Sequence, residues 1–191
     1  MLEEALASVK ALLAPHLAGA SPVTLAIDGR CASGKTTLAT RLTEQTVAAL
    51  IHLDDFFLRP EQRTPERLAT PGENVDWERL VREVLEPLGA GRTSQYCPFD
   101  CHTLGYKPAV TIAPAPLVIL EGSYSCNDHL WEYSDYHVFL TVSPEEQLRR
   151  IALRNGEEAA RVFQERWIPL EEAYFTACNV AARCDLVLST D

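Results

Sequence analysis

The stretch Gly29 to Thr36 reads GRCASGKT and matches every fixed position of the phosphate-binding pattern G-x-x-x-x-G-K-[ST]. The apolar segment before it, TLAI at 24–27, is typical of a buried strand. Backbone N–H groups in such a loop point at nucleotide phosphates, and the positive end of the following helix dipole reinforces them. Lys35 is expected to reach the β- and γ-phosphate oxygens, and the Thr36 hydroxyl to hold Mg²⁺. An empty glycine-rich turn is disfavoured, because it would leave a buried lysine without a partner. The candidate nucleotide-binding residues are Gly29, Arg30, Cys31, Ala32, Ser33, Gly34, Lys35, Thr36, Thr37 and, further along the chain, Arg154.

Length and charge restrict the class of protein. A chain of 191 residues is the size of one α/β domain, so we expect a single domain over 1–191. The formal net charge of −10 disfavours nucleic acid as a partner, because binding a phosphodiester backbone requires Lys and Arg. No apolar run reaches membrane-spanning length, and the opening MLEEALASVK has two acids where a secretory signal has bases. We therefore expect a cytoplasmic protein with a small soluble substrate and no membrane partner. The sequence leaves a homo-oligomeric state open.

The six cysteines contain no C-x-x-C pair, and Cys31 lies inside the phosphate loop, where a disulfide would obstruct binding. Reduced thiols in a cytosol account for them most simply. Cys97, Cys101 and His102 lack an evident fourth ligand, so they do not predict a metal site.

Strand and helix patterns alternate along the chain. Apolar positions at helical spacing predict an N-terminal helix from Leu2 that stops at Pro15. Five apolar segments separated by helical patterns predict an α/β fold with a five-stranded parallel sheet covered on both faces. The predicted strands are 24–27, 50–53, 117–120, 137–142 and 186–188.

The region between the last two strands has the pattern of a helical lid, at about 149–167. Ser143-Pro144-Glu145-Glu146 has capping-box spacing, which predicts a helix from Pro144 to about Arg154 that ends at Asn155-Gly156. A second helix is expected to reach Arg166, and a third to start after Pro169. Earlier, apolar positions from Trp77 to Leu88 predict another helix, followed by a long polar segment over 89–116 that is suited to shaping a site.

Acidic residues follow two of the predicted strands. Asp54 and Asp55 leave the second strand at the same sheet edge as the phosphate loop, where ligands of open α/β sheets bind. Because adjacent residues leaving a strand point to opposite sides, we expect one catalytic and one structural aspartate, and favour Asp54 as the base. Asp55 is retained as a candidate substrate contact. Glu121 follows the third strand and is a candidate for orienting Mg²⁺ or touching the acceptor.

Arginines of the lid are candidates for contacting phosphate. Arg149, Arg150 and Arg154 lie on its first helix, and guanidinium groups suit a transferring phosphoryl group, so Arg150 is a candidate catalytic residue. The i, i+4 spacing of Glu146 and Arg150 leaves open a role in surface pairs.

For the other candidate acceptor contacts, the residues alone do not assign a role. Asp76 precedes the Trp77 helix and has the position of an N-cap. The polar segment supplies four further candidates among which spacing does not choose: Tyr96, Phe99, Asp100 and His102.

The motifs IDGRCASGKTTLA, HLDDFFLRPE, NVDWERL and LEG together resemble the uridine kinase superfamily, and DDFF before a prolyl-glutamyl turn is especially similar to nicotinamide riboside kinases. The resemblance runs through most of the chain and implies the three-layer P-loop kinase fold with a short helical lid. It implies that Asp54 is the catalytic base, Glu121 the strand-end acid and Asp76 a ligand of the acceptor's ribose hydroxyls. Tyr96, Phe99 and His102 resemble parts of the family's acceptor region.

The leading functional hypothesis is an ATP- and Mg²⁺-dependent kinase that phosphorylates a hydroxyl of a small acceptor, first of all a nucleoside or other riboside. Alternatives are a kinase for pantothenate or a sugar phosphate, and a regulatory P-loop ATPase. A GTPase is disfavoured because the N-K-x-D and D-x-x-G motifs are absent from the sequence.

Overall fold

A computed structural model describes residues 1–17 and 21–191. It contains a five-stranded sheet in the order β2-β7-β1-β8-β9, in which every neighbouring pair is parallel. The predicted α/β fold with a five-stranded parallel sheet is confirmed. The strands are β1 Val23–Gly29, β2 Ala48–His52, β3 Ser94–Tyr96, β4 Phe99–Asp100, β5 Gly105–Tyr106, β6 Val110–Ile112, β7 Leu117–Glu121, β8 Tyr136–Thr141 and β9 Leu186–Ser189.

Both faces of this sheet are buried, as its nearly continuous apolar strands require. Along β1, Leu25 and Ile27 join the core on one face and Ala26 joins the core on the other, each with no exposed surface. Period-two alternation therefore divides one strand between two cores and makes the fold three-layered.

Helices cover the two faces and connect the strands. Two helical runs are continuous but change hydrogen-bond register through a π turn, one at Val81–Leu85 and one at Phe163–Trp167. The α-helices are α1 Leu2–Leu17, α2 Lys35–Gln45, α3 Pro65–Ala69, α4 Trp77–Leu80, α5 Glu86–Gly89, α6 Pro144–Asn155, α7 Glu157–Val162, α8 Ile168–Ala177 and α9 Val180–Arg183, and 3₁₀ turns lie at Leu53–Phe56, Pro60–Gln62 and Trp131–Tyr133.

Two predicted helix ends were wrong. Helix α1 continues through Pro15 to Leu17, because a proline in the last turn removes only one intrahelical hydrogen bond. No break occurs before Pro169, since the π turn runs directly into α8 and proline falls at its first positions.

Helix α6 begins at Pro144 and ends against Gly156 as predicted, but the capping box is not formed. The Ser143 side chain makes no cap hydrogen bond. Glu146, which a capping box would turn back to the Ser143 N–H, instead pairs with Arg149 and Arg150. The Ser143 N–H donates to Asp191 Oδ1 at 2.7 Å. Competition for Glu146 from two nearby guanidinium groups therefore overrides the local motif.

The polar segment after α5 forms two small antiparallel pairs, β3 with β6 and β4 with β5. These pairs place Cys101 and His102 beside the carboxyl edge of the main sheet, where they line the same cleft as the phosphate loop. Within the two described ranges, no helix combines the length and the apolar character needed to cross a bilayer.

Candidate active site

The phosphate loop connects β1 to α2 and has a backbone that requires glycine at two positions. Gly29 has φ +132°, and a Cβ there would lie 1.9 Å from the Leu140 carbonyl oxygen of the neighbouring strand. Gly34, the N-cap of α2, has φ +93°. Both values lie where side chains are strained, so the two fixed glycines of the motif follow from backbone geometry. Ala32 also adopts a positive φ, of 60°.

Lys35 begins α2 and is held against this loop. Its Nζ donates to the carbonyl oxygens of Gly29 at 2.7 Å and Arg30 at 2.9 Å, and the residue is only 8% exposed. The ammonium group is thus fixed at the mouth of the loop rather than in bulk solvent. A cation held in this way is prepared to contact the phosphates of a nucleotide.

Thr36 and Glu121 meet although they are 85 residues apart in sequence. The Thr36 hydroxyl donates toward both Glu121 carboxylate oxygens, each at 3.2 Å. His52 Nδ1 lies 2.5 Å from Glu121 Oε1, and this hydrogen bond raises the pKa of His52. The contact with His52 follows from strand register, because His52 and Glu121 are paired residues of β2 and β7. The hydroxyl and carboxylate predicted to serve Mg²⁺ are therefore adjacent.

Asp54 and Asp55 diverge as predicted. Asp54 lines the cleft, whereas the Asp55 carboxylate accepts a hydrogen bond from Tyr96 Oη at 2.9 Å, away from it. The Asp54 side chain is exposed, but the exposure is to the cleft and protein surrounds it on most sides. This partial removal from water raises the pKa of Asp54, and repulsion from the Glu121 carboxylate raises it further. A carboxyl with a raised pKa is a better proton acceptor than an ordinary aspartate.

Gly122 determines how closely the end of β7 approaches the Leu53–Phe56 turn. Its φ is +139°, and a Cβ there would lie 2.9 Å from Leu53 Cβ and 3.6 Å from Asp54 Oδ1. The glycine that follows Glu121 thus allows Asp54 and Glu121 to share one edge of the site.

The cleft at the carboxyl ends of β1, β2 and β7 has a volume of about 790 Å³. Five cationic and three carboxylate side chains line it, in a chain whose net charge is −10. A locally positive cleft in an acidic protein favours an anionic ligand. Those charged residues are Lys35, Arg63, Arg150, Arg154, Arg166, Asp54, Glu121 and Glu171.

Most candidate nucleotide-binding residues line this cleft, and some candidate acceptor residues do not. Gly29 and Arg30, the first two residues of the loop, do not line the cleft, and the Arg30 guanidinium pairs with Glu172 at 2.5 Å. Among the acceptor candidates, His102 and Glu121 line the cleft, whereas Asp55, Asp76 and Tyr96 lie outside its lining. The loop residues that line it are Cys31, Ala32, Ser33, Gly34, Lys35, Thr36 and Thr37.

Three lid arginines line the cleft, Arg150, Arg154 and Arg166, and the first two differ in their contacts. Arg150 donates to Glu146 Oε1, to the loop carbonyl of Ala32 at 3.3 Å and to Thr190, so most of its N–H groups are occupied. Arg154 donates to Asn155 Oδ1 and has no carboxylate within 4 Å among the residues described. Arg149 points away and pairs with Glu146. Arg154 is therefore better placed than Arg150 to contact a nucleotide, and Arg150 holds the loop to the C-terminal strand.

Asp76 makes the contacts of a helix cap. Its Oδ1 accepts from the Arg79 backbone N–H at 3.2 Å, and the residue is 2% exposed. Its Oδ2 lies 3.7 Å from both Arg59 Nε and Arg79 Nε and has no hydrogen-bond partner in the described chain. Contact with an acceptor would require Arg59 to move aside.

We expect Asp76→Ala to destabilise the protein by about 1–3 kcal/mol, because it removes a cap and takes from the buried Arg79 one of its two carboxylate neighbours, leaving Glu83. The acceptor KM should stay within about twofold, whereas Asp76→Asn, which keeps a capping oxygen, should lose less stability. Chemical denaturation and steady-state kinetics measure both quantities. A raised acceptor KM at unchanged stability would instead assign Asp76 to the acceptor, as the resemblance implies.

Sequence comparison finds no matching protein-family model and no matching curated protein. Structural comparison does find related folds. A possible uridine kinase from Bacillus stearothermophilus aligns with a TM-score of 0.67 and 22% identity over 97% of this chain and 99% of that chain. A Silicibacter protein, provisionally described as a fructose transport system kinase, aligns with a TM-score of 0.74 and 21% identity over 98% of both chains. D-glycerate 3-kinase from Cryptococcus neoformans aligns with a TM-score of 0.64 and 19% identity over 90% of this chain and 87% of that chain.

The chain has the P-loop kinase fold. The alignments cover nearly the whole length of this chain and of the first two structures. At such identities the likeness shows the fold alone.

Glu171 is a site residue of this P-loop kinase fold that sequence reasoning missed. It is 5% exposed, its Oε2 accepts from the Cys31 N–H at 3.0 Å, and its Oε1 accepts from Ser123 Oγ at 2.6 Å. Helix α8 is thereby joined to the phosphate loop and to the loop after β7. A glutamate on an otherwise ordinary helix gave no indication of this, because its partners are 140 and 48 residues away.

We expect Glu171→Ala to weaken ATP binding about tenfold, because the loop N–H and the Ser123 hydroxyl lose a shared acceptor. Glu171→Gln keeps an oxygen that can accept from Cys31 and should retain most of the affinity. Calorimetric titration of the two variants with ATP tests this. Equal affinity in Glu171→Ala and the wild type would contradict the role.

Buried groups beneath the loop fix its base. Asp28 has no exposed surface and accepts hydrogen bonds from the Gly29 N–H at 2.6 Å, the Cys126 N–H at 2.9 Å and Tyr174 Oη at 2.7 Å. Burial raises the pKa of Asp28, and it raises the pKa of the Cys31 thiol to about 12. The Cys31 thiol is therefore protonated at neutral pH and unsuited to nucleophilic chemistry.

The oxygen groups of the site fit Mg²⁺ bound together with a nucleotide. A hydroxyl and one or two carboxylates, completed by phosphate oxygens and water, form the usual set for this ion. Thr36 and Glu121 are in contact, and Asp54 lines the same cleft. In the described part of the chain, no group of three or more His, Cys, Asp or Glu side chains forms a metal site without a ligand.

Proposed function

We propose that the protein is an ATP-dependent kinase that transfers a phosphoryl group to a hydroxyl of a small-molecule acceptor. The observation that carries the proposal is the shared cleft, in which Lys35 at the phosphate loop and the divergent Asp54 line one space. The fold supports it, because the three solved structures it resembles are named as kinases or possible kinases.

Each residue has a separable role in this mechanism. Loop N–H groups and Lys35 hold the phosphates and stabilise charge as the phosphoryl group transfers. Thr36 and Glu121 would hold Mg²⁺, which supplies charge neutralisation between phosphate oxygens when bound. Asp54 accepts the proton of the acceptor hydroxyl as that oxygen attacks the γ-phosphorus. Attacking and leaving oxygens must lie in line, so the acceptor has to enter from the Asp54 side.

The lid assigned to about 149–167 would exclude water during transfer. Arg154, Phe163, Arg166 and Trp167 come from this region and line the cleft, and these basic and aromatic side chains support the lid proposal. Closure of such a segment commonly completes a kinase site.

A riboside is the acceptor that the sequence resemblance favours, because the DDFF and LEG motifs are similar to those of kinases of that class. The fold neighbours named for uridine and glycerate differ widely in acceptor, so a kinase for pantothenate or a sugar phosphate is the alternative. Cytoplasmic localisation is proposed with it, on the grounds of the unpaired cysteines and the acidic composition.

Acceptor-dependent ATP consumption separates this proposal from a regulatory ATPase. With Mg²⁺ and no acceptor, the purified protein should consume ATP slowly. With an acceptor from a panel of ribosides, hydroxy acids and sugar phosphates, ATP consumption should be at least about tenfold faster. Product masses should increase by one phosphoryl group. Rapid ATP hydrolysis that no acceptor stimulates would favour the ATPase and overturn the kinase assignment.

A further inference from the structure

The segment that follows β2 contributes one wall of the cleft. It contains Arg63, which differs from the other arginines of this region in its contacts. Four of the five arginines between residues 59 and 82 lie within 4 Å of a carboxylate, and Arg63 is the exception among the residues described. The four paired residues are Arg59 with Glu61, Arg67 with Glu78, Arg79 with Asp76 and Arg82 with Glu83.

Arg63 is also fixed in position. Its Nε donates to the Leu58 carbonyl oxygen at 2.9 Å, and one terminal nitrogen contacts Cys101 Sγ at 3.6 Å. Both partners line the cleft, as Arg63 does. One terminal nitrogen and the remaining N–H of the other have no hydrogen-bond partner among the residues described, and together they can bind a carboxylate or phosphate.

Arg63 is separate from the groups assigned to the nucleotide. The phosphate end of the cleft has its own cations in Lys35 and Arg154 and its own loop N–H groups. No hydrogen bond of Arg63 in the described chain reaches the phosphate loop. Its two hydrogen-bond partners, Leu58 and Cys101, are uncharged, and no carboxylate oxygen of the described residues lies within 4 Å of it, although Asp54 lines the same cleft. The position of Arg63 therefore indicates a negative charge on the second substrate.

We propose that the acceptor carries a carboxylate or phosphate group, and that Arg63 binds this group while the acceptor hydroxyl faces Asp54. This inference rests on the proposed kinase function and narrows its acceptor to anionic hydroxy compounds. A neutral nucleoside offers no group for Arg63. A cationic riboside would be repelled by it, so the arrangement favours the hydroxy-acid and sugar-phosphate alternatives.

Pairs of acceptors that differ mainly in charge test the proposal. ATP consumption is measured with D-glycerate and glycerol, pantothenate and panthenol, ribose 5-phosphate and ribose, and with uridine. We expect at least one anionic member to exceed its neutral partner by about tenfold or more in kcat/KM, as loss of one charge-assisted hydrogen-bonded pair implies. Uridine should be a poor acceptor.

The Arg63→Gln variant tests whether Arg63 is responsible for the preference for anionic acceptors. It should raise the KM of the anionic acceptor about 10- to 100-fold and leave the KM of ATP within about twofold. Arg63→Lys, which keeps the charge and loses the fork, should be intermediate. Arg82→Gln is the matched control, because Arg82 is an exposed arginine outside the cleft lining and should give wild-type kinetics.

Three results would overturn the proposal. Turnover that prefers neutral acceptors and is insensitive to Arg63→Gln would refute the anionic class and leave the kinase function standing. A rise confined to the KM of ATP would reassign Arg63 to the nucleotide. Absence of acceptor-dependent turnover with every compound would refute the kinase function itself and the inference with it.

Discussion

Replacing Lys35 with alanine should reduce phosphoryl transfer by about 10³-fold and weaken ATP binding, because the developing charge on the transferred group loses its nearest fixed cation. The same change frees the Gly29 and Arg30 carbonyl oxygens that Lys35 Nζ now binds, so the loop itself should loosen. Steady-state ATP turnover and calorimetric ATP titration measure the two effects.

Lys10→Ala provides the control for this prediction. Lys10 is an exposed residue of α1 whose Nζ donates to Gln45 Oε1 at 2.9 Å, remote from the cleft lining. It should retain wild-type turnover. A folded Lys35→Ala protein that still turns over ATP at the wild-type rate would show that the loop does not serve catalysis.

Asp54→Asn should lower kcat by about 10²- to 10⁴-fold with little change in ATP affinity, since the amide keeps the shape and removes proton acceptance. Asp55→Asn is the natural comparison. Its side chain still offers an oxygen to Tyr96 Oη, so kcat should remain near wild type. The opposite pattern, an active Asp54→Asn and an inactive Asp55→Asn, would exchange the two roles.

The pH dependence of the same reaction follows from the raised pKa of Asp54. Only the ionised carboxylate can accept the acceptor's proton, so kcat/KM should fall as pH is lowered through a pKa above the ordinary value of 3.8. Asp54→Asn should lose this acid limb of the pH profile. An acid limb that persists unchanged in Asp54→Asn would assign it to another group.

The strands were predictable because their apolar content does not depend on distant residues. Residues 117–120 are apolar throughout, and β7 is buried along its whole length, as a central parallel strand must be. The helix end at Pro15 was predicted wrongly because a proline in the last turn removes only one intrahelical hydrogen bond. The capping box at Ser143 was predicted wrongly because Glu146 bonds instead to Arg149 and Arg150, three and four residues along the same helix.

The divergence of Asp54 and Asp55 shows where local rules suffice. The two carboxylates separate as expected, one lining the cleft and the other on Tyr96, but they lie in the 3₁₀ turn Leu53–Phe56 and not on the strand. At three residues per turn, successive side chains of that turn point about 120° apart. The sheet order decides which of the two aspartates faces the phosphate loop. Strand β7 lies between β2 and β1, and the loop follows β1.

The sequence alone determined the phosphate loop, with Lys35 and Thr36 in it, because the conformation of that loop depends on glycines and a helix start within eight consecutive residues. Tertiary structure decided the contacts that join distant segments: His52 with Glu121 through strand register, Glu171 with the Cys31 N–H through the docking of α8, and Arg63 with Cys101 on the cleft wall. A local conformation is set by the energies of neighbouring residues, whereas these contacts are set by how whole elements pack.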